Sequence, residues 1–404
     1  MNHSAYYRTL VCTILWFLAS LVSAQSPYVY RVLEYMPAPG QFVNLLPEYE
    51  EGDNTNMMRL KAEEYIADDA RVLLSLGSWG GYVVFAFDHM VVNQPDRLDL
   101  QVLGNGFAAM NNPNPDAPAN GGSSEPGIVM VSYDANGNGK ADDAWYELAG
   151  ADYFASGTRH NYTVTYYRPK PDHVPTPDAD YRYLADTTYV PWRDSDGQTG
   201  YVMRNISHQQ SYWPEWIDAD SLVFTGTRLP DNYVDESGNR SYYVQYPYAY
   251  GYADNQANTA SASKLNIDWA VAEDGTPVHL PGIHFVKVYT GVLQYCGWLG
   301  ESSTEVMGAL DLHLTGEDET DIFRPGTALN EIIDPSFTLL TTLVQDHLLC
   351  TADRQQTVYI VDMTGRVVLE TTVKKGTTDI NCRSLEQGLY LLRTAQAAYR
   401  FVKQ

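Results

Sequence analysis

An oxygen-rich loop between two strand-like runs is the part of this sequence best suited to chemistry. Within the stretch 123–150, candidate metal ligands follow one another at short intervals, namely Asp134, Asn136, Asn138, Lys140, Asp142 and Asp143. Alternating Asp and Asn oxygens, a glycine at the bend and a backbone carbonyl from Lys140 follow the order of the first half of an EF-hand loop. The sequence therefore predicts a calcium ion held by these residues.

The twelfth position of this loop departs from the EF-hand pattern. Trp145 stands where an EF-hand has its bidentate glutamate, so a helix-loop-helix sensor is not expected. We predict instead a structural ion in a rigid loop within a β-sheet. An ordinary hairpin turn is the alternative, because turns also favour Asp, Asn and Gly for their tolerance of positive φ.

A second candidate site is the aromatic-rich segment 181–252. Its rings lie among Gly, Pro and Asn residues, which are more typical of loops than of core strands. Aromatic side chains on loops offer rigid, amphipathic area that suits a sugar ring, a corrin ring or a peptide. The predicted ligand-binding residues are Trp192, Tyr212, Trp213, Trp216, Tyr246, Tyr248 and Tyr250. The alternative is that these rings cover a wide β-sheet, since strands favour Tyr.

The common catalytic signatures are missing from the sequence. It contains no H-E-x-x-H, no G-x-x-x-x-G-K-[ST] and no G-x-S-x-G motif. Paired carboxylates for glycoside hydrolysis are placed by the fold rather than by spacing, so several acids stay open as such a pair. These are Glu125, Glu147, Glu215 and Asp218. We predict a protein that is not an enzyme, and a hydrolase is the least favoured alternative.

The elements that must position these residues are mostly strands. Short runs rich in Val, Tyr, Phe and Ile, bounded by Gly, Pro or Asn, recur through residues 25–316. This pattern predicts an all-β domain, a jelly-roll-like β-sandwich. Only residues 56–70 have helical spacing. The acidic and proline-containing stretch 317–335 predicts a linker.

The first residues have the pattern of an export signal. Residues 1–24 carry Arg8, an apolar run and a small-x-small sequence before Gln25, which predicts a cleaved secretory signal peptide. An N-terminal core helix is the alternative. No later segment has the ~18 uninterrupted apolar residues that a membrane-spanning helix needs.

The charge of the chain indicates its class of partner, and its cysteine content indicates how many disulfides it can form. The chain has 26 Lys+Arg against 50 Asp+Glu, a formal net charge of -24. Such an excess disfavours nucleic acid and anionic lipid as partners and favours divalent cations. Four cysteines are too few for a disulfide scaffold. Cys350 and Cys382 could pair, which would leave Cys296 as a buried apolar residue.

The C-terminal residues 336–404 alternate apolar and polar residues in short runs, which predicts a small immunoglobulin-like β-sandwich. The pieces VDMTGRVV, LEQGLYLLR and YRFVKQ resemble the C-terminal sorting domain of the type IX secretion system of Bacteroidota. This resemblance implies passage through the periplasm to the cell surface or extracellular space, with the type IX secretion machinery as a partner. An accessory immunoglobulin-like module is the alternative.

The central block also resembles a known family. The pieces SLGSWGGYVVFAFDHMVVN, SSEPGIVMVSYDANGNGKADDAWYELAG and CGWLGESSTEVMGALDLHL are similar to a family of Bacteroidota cell-surface proteins. Relatives near corrinoid uptake genes, in a BtuH-like setting, imply a vitamin B12-like ligand, and no contact residue is carried over. We therefore predict an exported, calcium-stabilised protein that captures a small ligand. A glycan-binding module or adhesin is the alternative.

Overall fold

The computed structural model describes residues 25–317, 319–323, 336–341, 343–362, 366–394 and 398–403. The chain forms two compact units, Met1–Pro325 and Gly326–Gln404. The predicted signal peptide, residues 1–24, and residues 318 and 324–335 of the predicted linker lie outside the described residues. Among the described residues, no helix is long and apolar enough to cross a membrane.

The first unit is built mainly from β-strands, and every strand pairing in it is antiparallel. Its strands are β1 Arg31–Met36, β2 Leu74–Ser75, β3 Tyr82–Val92, β4 Leu100–Leu103, β5 Phe107–Ala108, β6 Gly122–Ser123, β7 Gly127–Ser132, β8 Trp145–Leu148, β9 Arg159–Tyr167, β10 Leu184–Asp194, β11 Thr199–Asn205, β12 Ser221–Arg228, β13 Tyr233–Asp235, β14 Tyr243–Gln245, β15 Lys264–Leu265, β16 Ala270–Val271, β17 Gly282–Thr290, β18 Glu305–Val306 and β19 Gly308–Asp311. Its helices are α1 Thr55–Ile66 and α2 Leu312–Thr315, with short 3-10 turns at Ser261–Ser263, Ile267–Trp269 and Gly297–Leu299. The predicted all-β sandwich class is confirmed.

Six strands form the largest sheet, in the order β1-β3-β17-β7-β8-β16. Val83 and Phe85 of β3 lie opposite Val288 and Val286 of β17, and all four side chains are fully buried. Alternate residues of a strand share one face, so this face is a continuous apolar surface. Each such side chain contributes roughly 1.5–3 kcal/mol when it leaves water, which makes the β3-β17 pair the centre of the main core.

A second, four-stranded sheet has the order β11-β10-β9-β12. Its core is rich in aromatic rings: Trp79 lies edge-on to Tyr162, with 5.1 Å between the ring centroids, and Tyr166 donates its hydroxyl to the Trp79 carbonyl at 3.0 Å. Phe224 of β12 lies edge-on to Tyr82 of β3, which brings this sheet against the larger one. Smaller sheets have the orders β13-β14-β6-β5, β15-β4-β19 and β18-β2.

Helix α1 confirms the one helical pattern in the sequence, which was predicted over 56–70. The side chain of Asn54 caps it by accepting hydrogen bonds from two backbone N–H groups of the first turn. Its buried residues are Met58, Ala62 and Ile66. Spacings of four residues place them on one face, which packs on the main core.

The described part of the predicted linker is packed rather than free. Asp321 accepts hydrogen bonds from Trp269 Nε1 at 3.0 Å and Asn266 Nδ2 at 2.8 Å. Phe323 stacks on Tyr250, with 5.1 Å between the ring centroids. Asp321 and Phe323 thus anchor residues 319–323 to the first unit. The acidic composition of the segment did not predict these contacts.

The second unit is a small β-sandwich with its own core. Its strands are β20 Phe337–Leu339, β21 Leu343–Val344, β22 His347–Ala352, β23 Gln356–Asp362, β24 Val367–Val373, β25 Gly376–Asn381, β26 Gly388–Arg393 and β27 Ala398–Lys403. They form a three-stranded sheet, β20-β22-β25, and a five-stranded sheet, β21-β27-β26-β23-β24. Leu348, Ile360, Leu392 and Phe401 are among the buried residues that fill the core.

The suggested pairing of Cys350 with Cys382 is wrong. Both thiols are free and buried. Cys350 lies opposite Thr378 in the β22-β25 ladder, whereas the Cys382 N–H donates to the Asp346 carbonyl. The two cysteines are therefore offset by four residues, roughly 13 Å along a strand, while a disulfide needs Cα atoms within about 7 Å. Cys296 is buried and free, as expected.

The expectation that Tyr212, Trp213 and Trp216 offer aromatic area on exposed loops is also wrong. Trp213 is 1% exposed and Trp216 is 8% exposed, and Tyr212 is fully buried. Trp213 donates its Nε1–H to the Ile217 carbonyl at 3.3 Å. Trp216 belongs to the main core, and Tyr212 and Trp213 belong to the aromatic core of the four-stranded sheet. The segment therefore folds inward and offers no exposed aromatic surface.

Replacing Trp213 with Ala should therefore reduce stability rather than ligand affinity. We expect a loss of about 3–5 kcal/mol in the free energy of unfolding, because the change removes a buried indole and leaves a cavity. Trp298 is 47% exposed and provides the matched control: Trp298→Ala should cost no more than about 0.5 kcal/mol. Chemical denaturation measures both variants, and equal losses would contradict the assignment.

Candidate functional site

The predicted calcium loop connects two neighbouring strands of the largest sheet, β7 and β8. Gly137 and Gly139 adopt φ values of 70° and 71°, the left-handed region that a side chain disfavours. Asp134 accepts hydrogen bonds from the backbone N–H groups of Asn138 at 3.0 Å and Gly139 at 2.8 Å. The loop is thus folded around the Asp134 carboxylate.

The other oxygen-bearing side chains turn toward the same place. Asn138 Nδ2 lies 3.1 Å from both carboxylate oxygens of Asp142, and Asn136 Nδ2 lies 3.2 Å from Asp143 Oδ2. The N–H of Gly139 is the largest cause that lowers the pKa of Asp134, so this carboxyl is ionised at neutral pH. Carboxylate and amide oxygens gathered in a short loop are the donor set that calcium prefers. The residue types present fit the ion, but the Asn136 and Asn138 amide nitrogens face the carboxylates while their amide oxygens accept backbone N–H groups, so calcium binding by this loop stays a prediction.

Two contacts fix the loop to other strands of the sheet. Arg31 of β1 donates from Nη2 to the Gly139 carbonyl at 3.1 Å. The backbone N–H of Asp134 donates to His284 Nδ1 of β17 at 3.2 Å. Trp145, at the twelfth loop position, is already the first residue of β8 and follows the loop out of the ligand region. An ion here would stiffen the β7-β8 connection and the start of β8.

A cleft of about 240 Å³ lies beside the start of β8. Its lining residues are Met130, Trp145, Glu147, Tyr153, His160, Asn161, Thr225, Gly226, Thr227, Val271, Ala272, Glu273 and Tyr289. They come from both larger sheets and from the connections between them. Aromatic walls with a few polar groups are typical of small-molecule sites.

Glu147 is the most unusual residue of this cleft. It is 9% exposed, and its Oε2 accepts a hydrogen bond from Thr227 Oγ1 at 2.6 Å, while its Oε1 is buried without a hydrogen-bond partner. Burial raises the pKa of Glu147 to about 8, so the carboxyl is neutral at pH 7. Oε1 is therefore a buried polar atom whose hydrogen-bonding capacity is unused among the described residues.

His160 extends this arrangement. Its Nδ1 lies 3.2 Å from Thr227 Oγ1, and its Nε2 donates to the Tyr153 carbonyl at 3.0 Å. The imidazole and the Tyr153 ring are in contact, with 4.4 Å between their centroids. Thr227 thus joins Glu147 to His160, and the group can position a polar ligand by hydrogen bonds.

In the sequence, Glu147 is only one of four open acids, and no pattern marks Thr227, His160 or Tyr153. These residues come from separate strands and loops, so no local spacing connects them. Two of the other acids, Glu215 and Asp218, lie on the surface near the Arg168 guanidinium, at 3.5 and 3.6 Å. Exposed ion pairs of this kind contribute little to stability.

The remaining predicted ligand-binding aromatics lie in three different surroundings. Trp192 lines a smaller cleft of about 110 Å³ with Trp79 and Tyr201. Tyr246 and Tyr248 donate their hydroxyls to Glu236 and to the Pro230 carbonyl. Tyr250 packs against Trp269, with 5.2 Å between the ring centroids. Ligand contact at these residues stays a prediction.

Calcium should stabilise the first unit through the 134–143 loop. At a calcium concentration ~100 times the dissociation constant, binding adds about 2.7 kcal/mol to the free energy of unfolding. We expect the melting temperature of the full chain to rise with calcium, and the rise to shrink in the double variant Asp134→Asn, Asp142→Asn. The exposed residue Asp116 gives a control, Asp116→Asn, with the same type of charge change. A calcium response that is unchanged by the double variant would refute the loop as a site.

Glu147 should make stability depend on pH. Burial raises the pKa of its carboxyl to about 8 in the folded protein from the ordinary value of 4.5, so the folded state holds the proton more tightly. Stability from this group is therefore complete below about pH 4.5 and is lost as pH rises toward 8, by at most about 1.4 kcal/mol per pH unit. The difference in unfolding free energy between Glu147→Gln and the native chain should grow in favour of the variant from pH 5 to pH 8. A constant difference across this range would contradict the assignment.

Comparison with known families identifies the second unit. Residues 344–404 match the family model described as the secretion system C-terminal sorting domain. The resemblance predicted for the tail is confirmed, and the protein is secreted to the cell surface or the extracellular space. The sorting domain also implies interaction with the type IX secretion machinery. No curated protein matches the chain.

Proposed function

We propose that the first unit captures a small hydroxylated ligand, such as a glycan unit, at the cell surface, and that it does so in the cleft beside Glu147. The sorting domain supports the location, because it directs the chain outside the cell. The cleft supports the activity, because it combines aromatic walls with a buried polar group that has no partner within the described residues.

The observation that carries this proposal is the free Oε1 of Glu147. A buried polar atom without a hydrogen-bond partner costs about 1–3 kcal/mol, and a ligand hydroxyl placed in the cleft would remove that cost. Oε1 of a neutral carboxyl donates or accepts according to which oxygen carries the proton, so a hydroxyl, which can do both, is the matching group. A ligand that carries several hydroxyls suits this site.

The walls of the cleft favour the same class of ligand. Trp145, Tyr153 and Tyr289 supply aromatic surface, and His160 adds a polar edge. Rings of this kind pack against the apolar face of a sugar while their polar groups stay hydrogen-bonded. Trp145 begins β8 directly after the predicted calcium loop, so an ion in that loop would fix the position of Trp145 and strengthen capture.

The size of the cleft separates the two binding hypotheses. Pockets for drug-sized ligands have volumes of about 300–1,000 Å³, and this cleft has about 240 Å³. A monosaccharide-sized group is suited to such a volume. A corrinoid, which the resemblance of the central block favours, is larger than a drug-sized ligand and would have to bind on an open surface. The cleft therefore supports the glycan alternative.

A second candidate function is glycoside hydrolysis, and one observation favours it. The cleft contains two carboxyl residues, the buried Glu147 and the exposed Glu273. Glycosidases use a carboxyl with a raised pKa as the general acid and an ionised carboxylate as its partner. Glu147, whose pKa is raised, resembles the general acid of such a pair. Capture remains the first proposal, since it needs only the contacts described above.

Binding to the cleft can be tested on the full chain with a glycan array, followed by titration calorimetry of the best glycan and, in parallel, of cyanocobalamin. We expect Trp145→Ala to weaken glycan binding at least tenfold, which is about 1.4 kcal/mol, because it removes one wall. Glu147→Gln should weaken it less, since the amide can still donate a hydrogen bond.

Trp298→Ala is the matched control, because this exposed indole does not line the cleft. Release of reducing sugar from the bound glycan, abolished by Glu147→Gln, would establish the second candidate instead. Tight binding of cyanocobalamin that neither cleft variant alters would place the ligand site elsewhere and overturn the proposal.

A further inference from the structure

Three carboxyl groups, two of them buried and one half-buried, meet inside the first unit, away from the surface loop 134–143. They belong to Glu125, which precedes β7, to Asp254, and to Glu305 at the start of β18. One carboxylate oxygen from each residue lies within 4.8 Å of those of the other two. The three residues are far apart in the sequence, so only the fold brings their carboxyl groups together.

Among the described residues, no cationic side chain forms an ion pair with these carboxyls. None of the described ion pairs between basic and acidic side chains includes Glu125, Asp254 or Glu305. A buried carboxylate without a partner of opposite charge is costly, so such groups are paired, protonated or bound to a metal.

The oxygen atoms themselves point to a ligand. Glu305 is 4% exposed, and its Oε1 is buried and receives no N–H or hydroxyl hydrogen bond from the described residues, although its carboxyl lies within hydrogen-bond reach of the Glu125 carboxyl. Ligand oxygens of the three residues lie close enough to share one ion: calcium-oxygen distances are about 2.3–2.6 Å, which puts oxygens on opposite sides of the ion about 4.6–5.2 Å apart. The observed separations do not exceed 4.8 Å.

Backbone groups hold the central carboxyl in position. Asp254 Oδ1 accepts hydrogen bonds from the N–H groups of Asn105 at 2.7 Å and Gly106 at 2.9 Å, and its Oδ2 accepts from Glu305 N at 2.9 Å. Gly104 permits this approach, since a Cβ there would lie 2.4 Å from Asp254 Oδ1. These three N–H donors fix the orientation of the carboxyl and oppose the rise in its pKa that burial causes.

We propose that Glu125, Asp254 and Glu305 bind one divalent cation, and that calcium is the ion best suited to the site. Carboxylate oxygens select hard cations. Magnesium usually keeps several waters and is seldom held by a cage made only of protein groups, and a site with two buried carboxyls and one half-buried carboxyl leaves little room for them. The ion would connect the 104–106 turn, the start of β7, the Asp254 segment and β18.

Protonation is the competing way to neutralise the cluster. Burial raises the pKa of Asp254 and Glu305 well above their usual values and that of Glu125 to about 7. If protons alone compensate the charges, removal of one carboxyl charge should leave the protein as stable as before or more stable. If an ion is bound, the same change should remove the ion and reduce stability in calcium.

The test uses the full chain carrying Asp134→Asn and Asp142→Asn, so that the surface loop contributes no ion. After brief EDTA treatment and desalting into calcium buffer, elemental analysis of this loop variant should find one equivalent of calcium, and calcium should raise its melting temperature. Addition of Glu305→Gln should abolish both effects. Glu215→Gln, a change at a partly exposed acid near Arg168, is the matched control and should retain them.

Should the Glu305→Gln chain not fold, Glu305→Asp keeps the charge on a shorter side chain and should weaken calcium binding at least tenfold. The inference is overturned if the loop variant holds no divalent metal and melts at the same temperature with and without millimolar calcium. It is equally overturned if bound metal persists unchanged in the Glu305 variants, because the ion would then lie elsewhere.

Discussion

The contact between Tyr289 of β17 and the end of β12 is the constraint on which the cleft depends. Thr227 donates its backbone N–H to the Tyr289 hydroxyl at 2.8 Å, and a Cβ at Gly226 would lie 2.8 Å from that oxygen, closer than real side chains pack. The pairing of β12 with β9 shifts register between Gly226 and Arg228. Such bulges redirect a side chain, and here the redirected residue is Thr227, whose hydroxyl reaches Glu147.

This constraint joins the two large sheets through polar groups as well as apolar packing. Tyr289 is 3% exposed, so its hydroxyl needs a partner, and the N–H of Thr227 provides it. Glu147 then receives one hydrogen bond from the same residue and lacks a second. A polar core usually satisfies all its members. The unsatisfied carboxyl oxygen beside the cleft is the observation on which the proposed capture of a ligand rests.

The sequence predicted the parts of the fold that local patterns determine. The helical spacing of Met58, Ala62 and Ile66 located α1 to within a few residues, and alternating apolar residues predicted both β units. Local pattern could not reveal that Trp213 is buried, because its loop composition resembles an exposed segment while tertiary contacts decide its burial. It also could not exclude the Cys350–Cys382 pair, since strand register is a tertiary property.

The candidate sites divide in the same way. The loop 134–143 is contiguous, so its ligand spacing was visible in the sequence, although the ion itself is still a proposal. Glu147, Thr227 and His160 are brought together only by the sheets, as are Glu125, Asp254 and Glu305. Chemistry assembled from distant strands leaves no periodic signal, whereas a turn that folds on itself does.

The acidic composition of the chain is connected with its export, because cations available outside the cell can bind its carboxylates. A net charge of -24 opposes compaction through repulsion among carboxylates, and cations that bind only the folded state offset that repulsion. Extracellular calcium modules work with dissociation constants of about 10⁻⁴–10⁻³ M, so an exposed loop with Asp134 and Asp142 needs no high affinity to be filled outside the cell. A buried cluster such as Glu125, Asp254 and Glu305 would exchange its ion more slowly, since exchange requires the surrounding strands to open. The two proposed sites would thus respond to calcium on different timescales, the loop by direct exchange and the cluster only as the unit folds.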